Sequence, residues 1–212
     1  PARKPDARAA PPIRFPAHDA APVLRYHQGN DNQAAAVIAW PTGAGIDGIG
    51  DSRRLDVLAQ VFSDRLFEKL RQGAGASYSP SVSSSWPVGA ATGGRLLAIG
   101  QVQPDKVDYF FQLSREIAAD LAARPIPPDE LQRIMRPMAQ YIVRASTGNQ
   151  FWLGQLGGAT YDPRRFDATR RIAQDFVAIT PAELQATAAK YLRPDKDWTM
   201  AVLPKPKGVA AR

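Results

Sequence analysis

The sequence predicts an α+β domain: a mostly antiparallel sheet with helices packed on one face. Three observations predict it. Short apolar or alternating runs occupy residues 34–40, 77–86, 95–102 and 198–203 and read as strands. Longer segments between them repeat their apolar residues at helical spacing. The resulting order is strand, helix, strand, strand, several helices, strand, without internal repeat.

Residues 1–22 are rich in Pro, Ala and Arg with no period and read as a linker, with the domain proper over 23–203 and a flexible tail over 204–212. Residues 34–40 (AAAVIAW) form a continuous apolar run, as a buried strand does. Four glycines in 43–50 read as a flexible loop. Asp51 or Ser52 is placed to cap the next helix. That helix carries Leu55, Leu58, Phe62, Leu66 and Leu70 on one face and Arg53, Asp56, Arg65 and Lys69 on the other, and Gly73 and Gly75 end it. Residues 77–86 (SYSPSVSSSW) alternate, with Tyr78, Val82 and Trp86 on one face and serines on the other. Pro80 cannot donate to a ladder and puts this strand at an edge or a bulge. Glycines 89, 93 and 94 turn the chain into the strand at 95–102, so the two predict a hairpin.

Pro104 and Asp105 open a second helix, striped by Val107, Phe110, Phe111, Ser114, Ile117 and Leu121. Pro127-Pro128-Asp129-Glu130 opens a third, with Leu131, Ile134, Met135, Met138 and Ile142 inward and Pro137 as a kink. Residues 149–157 and 164–177 read as shorter helices. Thr180-Pro181-Ala182-Glu183 is a capping box opening a helix to about Tyr191. Residues 198–203 (WTMAVL) close the sheet.

Composition excludes several function classes. The net charge of +7 invites a nucleic-acid reading. Yet residues 31–203 hold 19 basic and 18 acidic residues, so the excess sits in the two tails and no basic patch interleaved with aromatics marks the body. No apolar run reaches the roughly 20 residues of a spanning helix. Without cysteine there is no disulfide, thiolate nucleophile or Cys-ligated metal. The only histidines, His18 in the linker and His27 before the first strand, lie outside any zinc motif and read as solvated surface residues. No nucleophile elbow, Walker loop or dinucleotide fingerprint is present. The serines at 81–85 read as the polar face of a strand.

The informative stretch is 62–78 (FSDRLFEKLRQGAGASY), a helix ending in Leu-Arg, a glycine turn, and a strand opening with Tyr-Ser. Together with the Asn149-x-x-Trp152 helix, the Pro128–Leu131 helix start and the ending Ala188 to Pro194 (AAKYLRP), it resembles the C-terminal, non-zinc-binding half of M16 zinc metallopeptidases, the pitrilysin, insulysin and processing-peptidase group. The resemblance covers roughly residues 23–203. It implies the LuxS/M16 metallopeptidase-like fold, and a domain that binds no metal of its own. Zinc would sit in a partner N-terminal half that carries H-x-x-E-H. The chain would then be the substrate-binding half of a peptide-hydrolysing enzyme, inactive alone. The alternative is an M16-like scaffold subunit without catalysis.

Arg71 and Tyr78 match the spacing of the family's Arg…Tyr substrate-binding pair. Tyr78 would donate to the scissile carbonyl as it becomes an oxyanion, and Arg71 would bind a substrate carbonyl or orient Tyr78. Residue chemistry alone gives each a second reading. Tyr78 shares a face with Val82 and Trp86, as a core tyrosine does, and Arg71 suits a helix C-terminus. The expected partners are the zinc-bearing half and a peptide, with a homodimer through an exposed apolar rim as a further expectation and no nucleic acid. The expected compartment is the bacterial periplasm.

Overall fold

The computed structural model describes residues 14–74 and 80–206. One five-stranded sheet runs in the order β1-β5-β2-β4-β3. Its middle strand is β2 (Ala34–Pro41), almost wholly buried, as its unbroken apolar run predicts. β4 (Arg95–Val102) lies antiparallel to it, from Ala34 opposite Val102 to Pro41 opposite Arg95. β3 (Ser81–Ser85) forms the expected hairpin with β4 and is an edge strand, as Pro80 predicts. It ends at Ser85, one residue before the end of the alternating run, because Trp86 has already left the ladder. On the other side β5 (Trp198–Pro204) runs antiparallel to β2.

The far edge holds a strand that the sequence reading missed. β1 (Val23–His27) pairs parallel with β5, from Val23 opposite Met200 to His27 opposite Pro204. His27 therefore ends a strand; it does not precede the first one. β1 is exposed over Leu24, Arg25 and Tyr26, so it lacks the alternation that betrays a half-buried strand.

Helices cover one face of the sheet. α1 (Ile49–Ala74) and α2 (Val107–Ala123) pack on it, and α7 (Pro181–Tyr191) packs against both helices. The core they enclose contains Ile38, Trp40, Leu58, Phe62, Leu96 and Phe110, with the Trp40 and Phe62 rings 5.8 Å apart. Gly100 in β4 leaves the space that the Phe110 ring fills. The opposite sheet face carries Val37, Leu97, Ile99 and Met200, and Ile99 is 40% exposed.

A second helical layer flanks α1: α3 (Pro128–Ala145), with Pro137 inside it, and α6 (Ile172–Val177). α4 (Asn149–Leu156) and α5 (Arg164–Arg170) pack on each other at its margin. The segment expected as one helix over 164–177 is two, divided at Arg171. The capping box of α7 is formed in full, with Thr180 and Glu183 each satisfying the other's backbone.

Two local expectations need correction. α1 begins at Ile49, after a 3-10 turn over Ile46–Gly48, so Asp51 and Ser52 lie within its first turn and do not cap it. The glycine-rich loop before it is a packed cradle. A methyl group on Gly43 or Gly48 would come within 2.2 Å of the Trp86 indole. The indole nitrogen of Trp86 donates to the Gly45 carbonyl at 2.8 Å. These glycines make room for a tryptophan, which is a packing requirement.

Candidate functional site

Arg71 stands exposed in the last turn of α1. Tyr78, its partner in the sequence reading, lies outside the described residues, and the chain is next described at Pro80, one residue before β3. The connection thus joins the C-terminal end of α1 to the start of the edge strand.

Both histidines have structural roles. His18 is exposed, as expected, and is also held: its Nδ1 lies 2.8 Å from the Asp197 carbonyl and 2.9 Å from the Asp197 carboxylate. Asp197 is 1% exposed and also accepts from Arg115 at 2.7 Å. His27 accepts from the Gly29 N–H through Nδ1 at 3.0 Å, which leaves Nε2 to donate to the Gln33 carbonyl at 2.8 Å. Among the described residues no group of three or more His, Cys, Asp or Glu could hold a metal ion. No described helix is long and apolar enough to cross a membrane.

The face of α1 that the sequence assigned to solvent is only partly so. Its first half is buried on nearly every side, because α6 and α7 pack where water was expected. Arg53 is 5% exposed and pairs with the Asp175 carboxylate and the Ala168 carbonyl. Burial lowers its pKa, as does the charge of Arg171 nearby. Arg65 spans three helices, donating twice to Glu130 at 2.8 Å and once to Asp120 at 2.8 Å. Asp51 accepts from Arg54 at 2.6 Å and from Lys190 and the Tyr191 hydroxyl at 2.7 Å each. Burial pulls the Asp51 carboxyl up, but these partners outweigh it and hold it at about 2.

Asp56 is the group that the sequence reading missed. It lines a groove of about 620 Å³ between α1, the three consecutive β3 residues Val82, Ser83 and Ser84, and Tyr141, Phe151 and Phe176 of the second layer. It also borders a smaller hollow of about 280 Å³ that holds Arg53, Arg165 and Thr169. Burial pushes the Asp56 carboxyl up to about 6, against the lowering pull of the Ser84 hydroxyl and of Arg53. The signal available in the sequence was slight: Ala59 and the uncharged Gln60 stand beside Asp56 where a solvated face would carry charge.

The family described as the peptidase M16 inactive domain matches residues 2–138. Among solved structures, a protease from Helicobacter pylori superposes with a TM-score of 0.78 at 15% identity, over 95% of this chain and 48% of that one. The peptidase M16 inactive domain from Pseudomonas fluorescens gives 0.73 at 19% identity, over 96% and 48%. The periplasmic protease PqqL from Escherichia coli gives 0.69 at 20% identity, over 89% and 21%. The chain therefore spans less than half the length of each. No curated protein matches.

Proposed function

Since this chain belongs to the peptidase M16 inactive-domain family, we propose that it is the substrate-binding, non-zinc half of an M16-type metallopeptidase and hydrolyses no peptide alone. The observation that carries this reading is the family match, which covers Arg71 and Tyr78. The partner is an N-terminal half carrying H-x-x-E-H, in the same polypeptide or on another subunit, and the zinc resides there. The zinc half polarises the peptide carbonyl and activates water. This half contributes Arg71, which binds a backbone carbonyl of the peptide or orients Tyr78, and Tyr78, which donates to the developing oxyanion.

The apolar sheet face at Leu97 and Ile99, with Ile99 40% exposed, supports a partner, since an apolar face of this kind is normally covered. We assign that cover to the zinc-bearing half; a homodimer is the other arrangement to test. The periplasm is the proposed compartment, on the likeness to the E. coli protein.

The test mixes this chain with the zinc-loaded half and follows cleavage of an unfolded peptide. Activity only in the mixture is the expected outcome. A well-folded, zinc-loaded mixture without activity would leave the scaffold reading in its place. In the active mixture, Tyr78→Phe is expected to lower kcat by roughly 10²–10³ with the fold intact. Unchanged turnover would return Tyr78 to the core of the domain.

A further inference from the structure

The groove beside β3 has three properties that belong together. First, it runs along a strand edge. Among the described residues β3 has β4 as its one neighbour in the sheet, so the backbone groups on its other side are outside that ladder. Because Val82, Ser83 and Ser84 line the groove consecutively, the groove follows the strand itself and not only one of its faces. An extended peptide can add to such an edge by main-chain hydrogen bonds, about 4.8 Å away, with alternate side chains facing the same way.

Second, the groove is walled largely by aromatic and apolar side chains, among them Met138, Tyr141 and Phe151. Its volume of about 620 Å³ is ample for a long side chain.

Third, one carboxyl group faces it outside any close ion pair. Among the described residues Asp56 makes no ion pair, whereas its charged neighbours are already committed. Arg53 is bound to Asp175 and to the Ala168 carbonyl, and Arg165 to the Gly157 carbonyl. The other polar groups on the groove wall, Gln60, Ser83, Ser84, Tyr141 and Gln155, are neutral. A part-buried carboxylate compensated only by the Ser84 hydroxyl and by an Arg53 already paired elsewhere is unfavourable, and a cation placed beside it relieves that. Burial raises the Asp56 pKa, and the Ser84 hydroxyl and Arg53 only partly offset it.

We propose that the groove between β3 and the α3–α4 layer binds an extended peptide as an added strand, with a lysine or arginine side chain of that peptide seated against Asp56. This rests on the substrate-binding reading and narrows it to peptides with a basic residue. Val82 is the β3 residue buried toward the helices, so the peptide residues turned to that side meet Asp56 and Gln60. Those turned the other way face solvent and carry no selectivity.

The experiment measures binding of two fluorescein-labelled octapeptides to the chain by anisotropy, identical except for one central lysine or its uncharged isostere norleucine. The lysine peptide is expected to bind roughly tenfold tighter. Asp56→Asn should remove that difference while leaving the norleucine peptide's affinity unchanged, and N-methylation of alternate peptide amides should abolish binding of both. Retention of the lysine preference in Asp56→Asn overturns the proposal. So does failure of both peptides to bind a chain whose circular dichroism is native. Hydrolysis in the mixture with the zinc half is scored separately. Cleavage that persists without any effect of Asp56→Asn on lysine preference defeats this site and leaves the substrate-half reading standing.

Discussion

Asp56 shows how a single residue can oppose stability. Its carboxyl rises from 3.8 to about 6 on folding, so the folded chain holds a proton over a range where the unfolded chain has lost it. Stability therefore falls as pH rises from about 4 to about 6, and the deficit is complete above that. The shift corresponds to about 3 kcal/mol at most. Asp56→Asn should accordingly raise the urea midpoint at pH 7.5, and the gain should vanish by pH 4. The glycines of the loop behave oppositely. Gly48→Ala places a methyl against the Trp86 ring and should destabilise by about 1–3 kcal/mol. Gly154→Ala, where a Cβ meets nothing within 4 Å in α4, should stabilise by about 0.5–1 kcal/mol. Thermal melts of the two variants check both signs. Neither effect could be read from the sequence. A run of glycines looks alike whether it frees the backbone or admits an indole, and an aspartate between apolar positions looks solvated until the second layer is known. Of the proposed pair, Arg71 is exposed where the helix pattern placed it, while Tyr78 lies outside the described residues.

Among the elements, those with a strong period were legible. β2, β4, β5, α2 and α7 lie where their patterns put them, and the α7 capping box needed only four residues to recognise. β1 was not, because an exposed edge strand has no hydrophobic face to reveal it. The joints between elements were also hidden, since ion pairs join residues far apart in sequence. Arg65 is the main one, tying α1 to α2 and α3. Arg65→Ala should cost about 2 kcal/mol in urea unfolding, and Arg65→Lys should recover only part, because an ammonium cannot reproduce the fork that grips Glu130. Asp51 ties α1 to α7. Its pKa falls from 3.8 to about 2, so its contribution is full above about pH 4 and is lost as the pH drops toward 2. Solvent screening keeps it to about 1 kcal/mol. A urea series from pH 5 to pH 2 on Asp51→Asn and the parent chain should converge at the acid end.

At the scale of the whole molecule, the α+β class and the one-sided helical cover were legible from element order alone, whereas the exposure of the opposite face emerged only from the register of β2, β4 and β5. Ile99, 40% exposed on that face, can accept charge without disturbing the core. Ile99→Glu should leave the melting temperature within a few degrees, yet weaken association with the zinc-bearing half by tenfold or more, as sedimentation of the mixture would show. The sheet order carries one more consequence, for how the chain acquires its structure. β5, the last strand in sequence, lies inside the sheet between β1 and β2. While a ribosome is still making residues 198–204, β1 has no strand to pair with and β2 presents a bare edge. The first strand must wait for the last, across most of the chain's length, and this long-range closure makes folding slow and late. Until then the nascent chain exposes the kind of unpaired, apolar edge that chaperones shield.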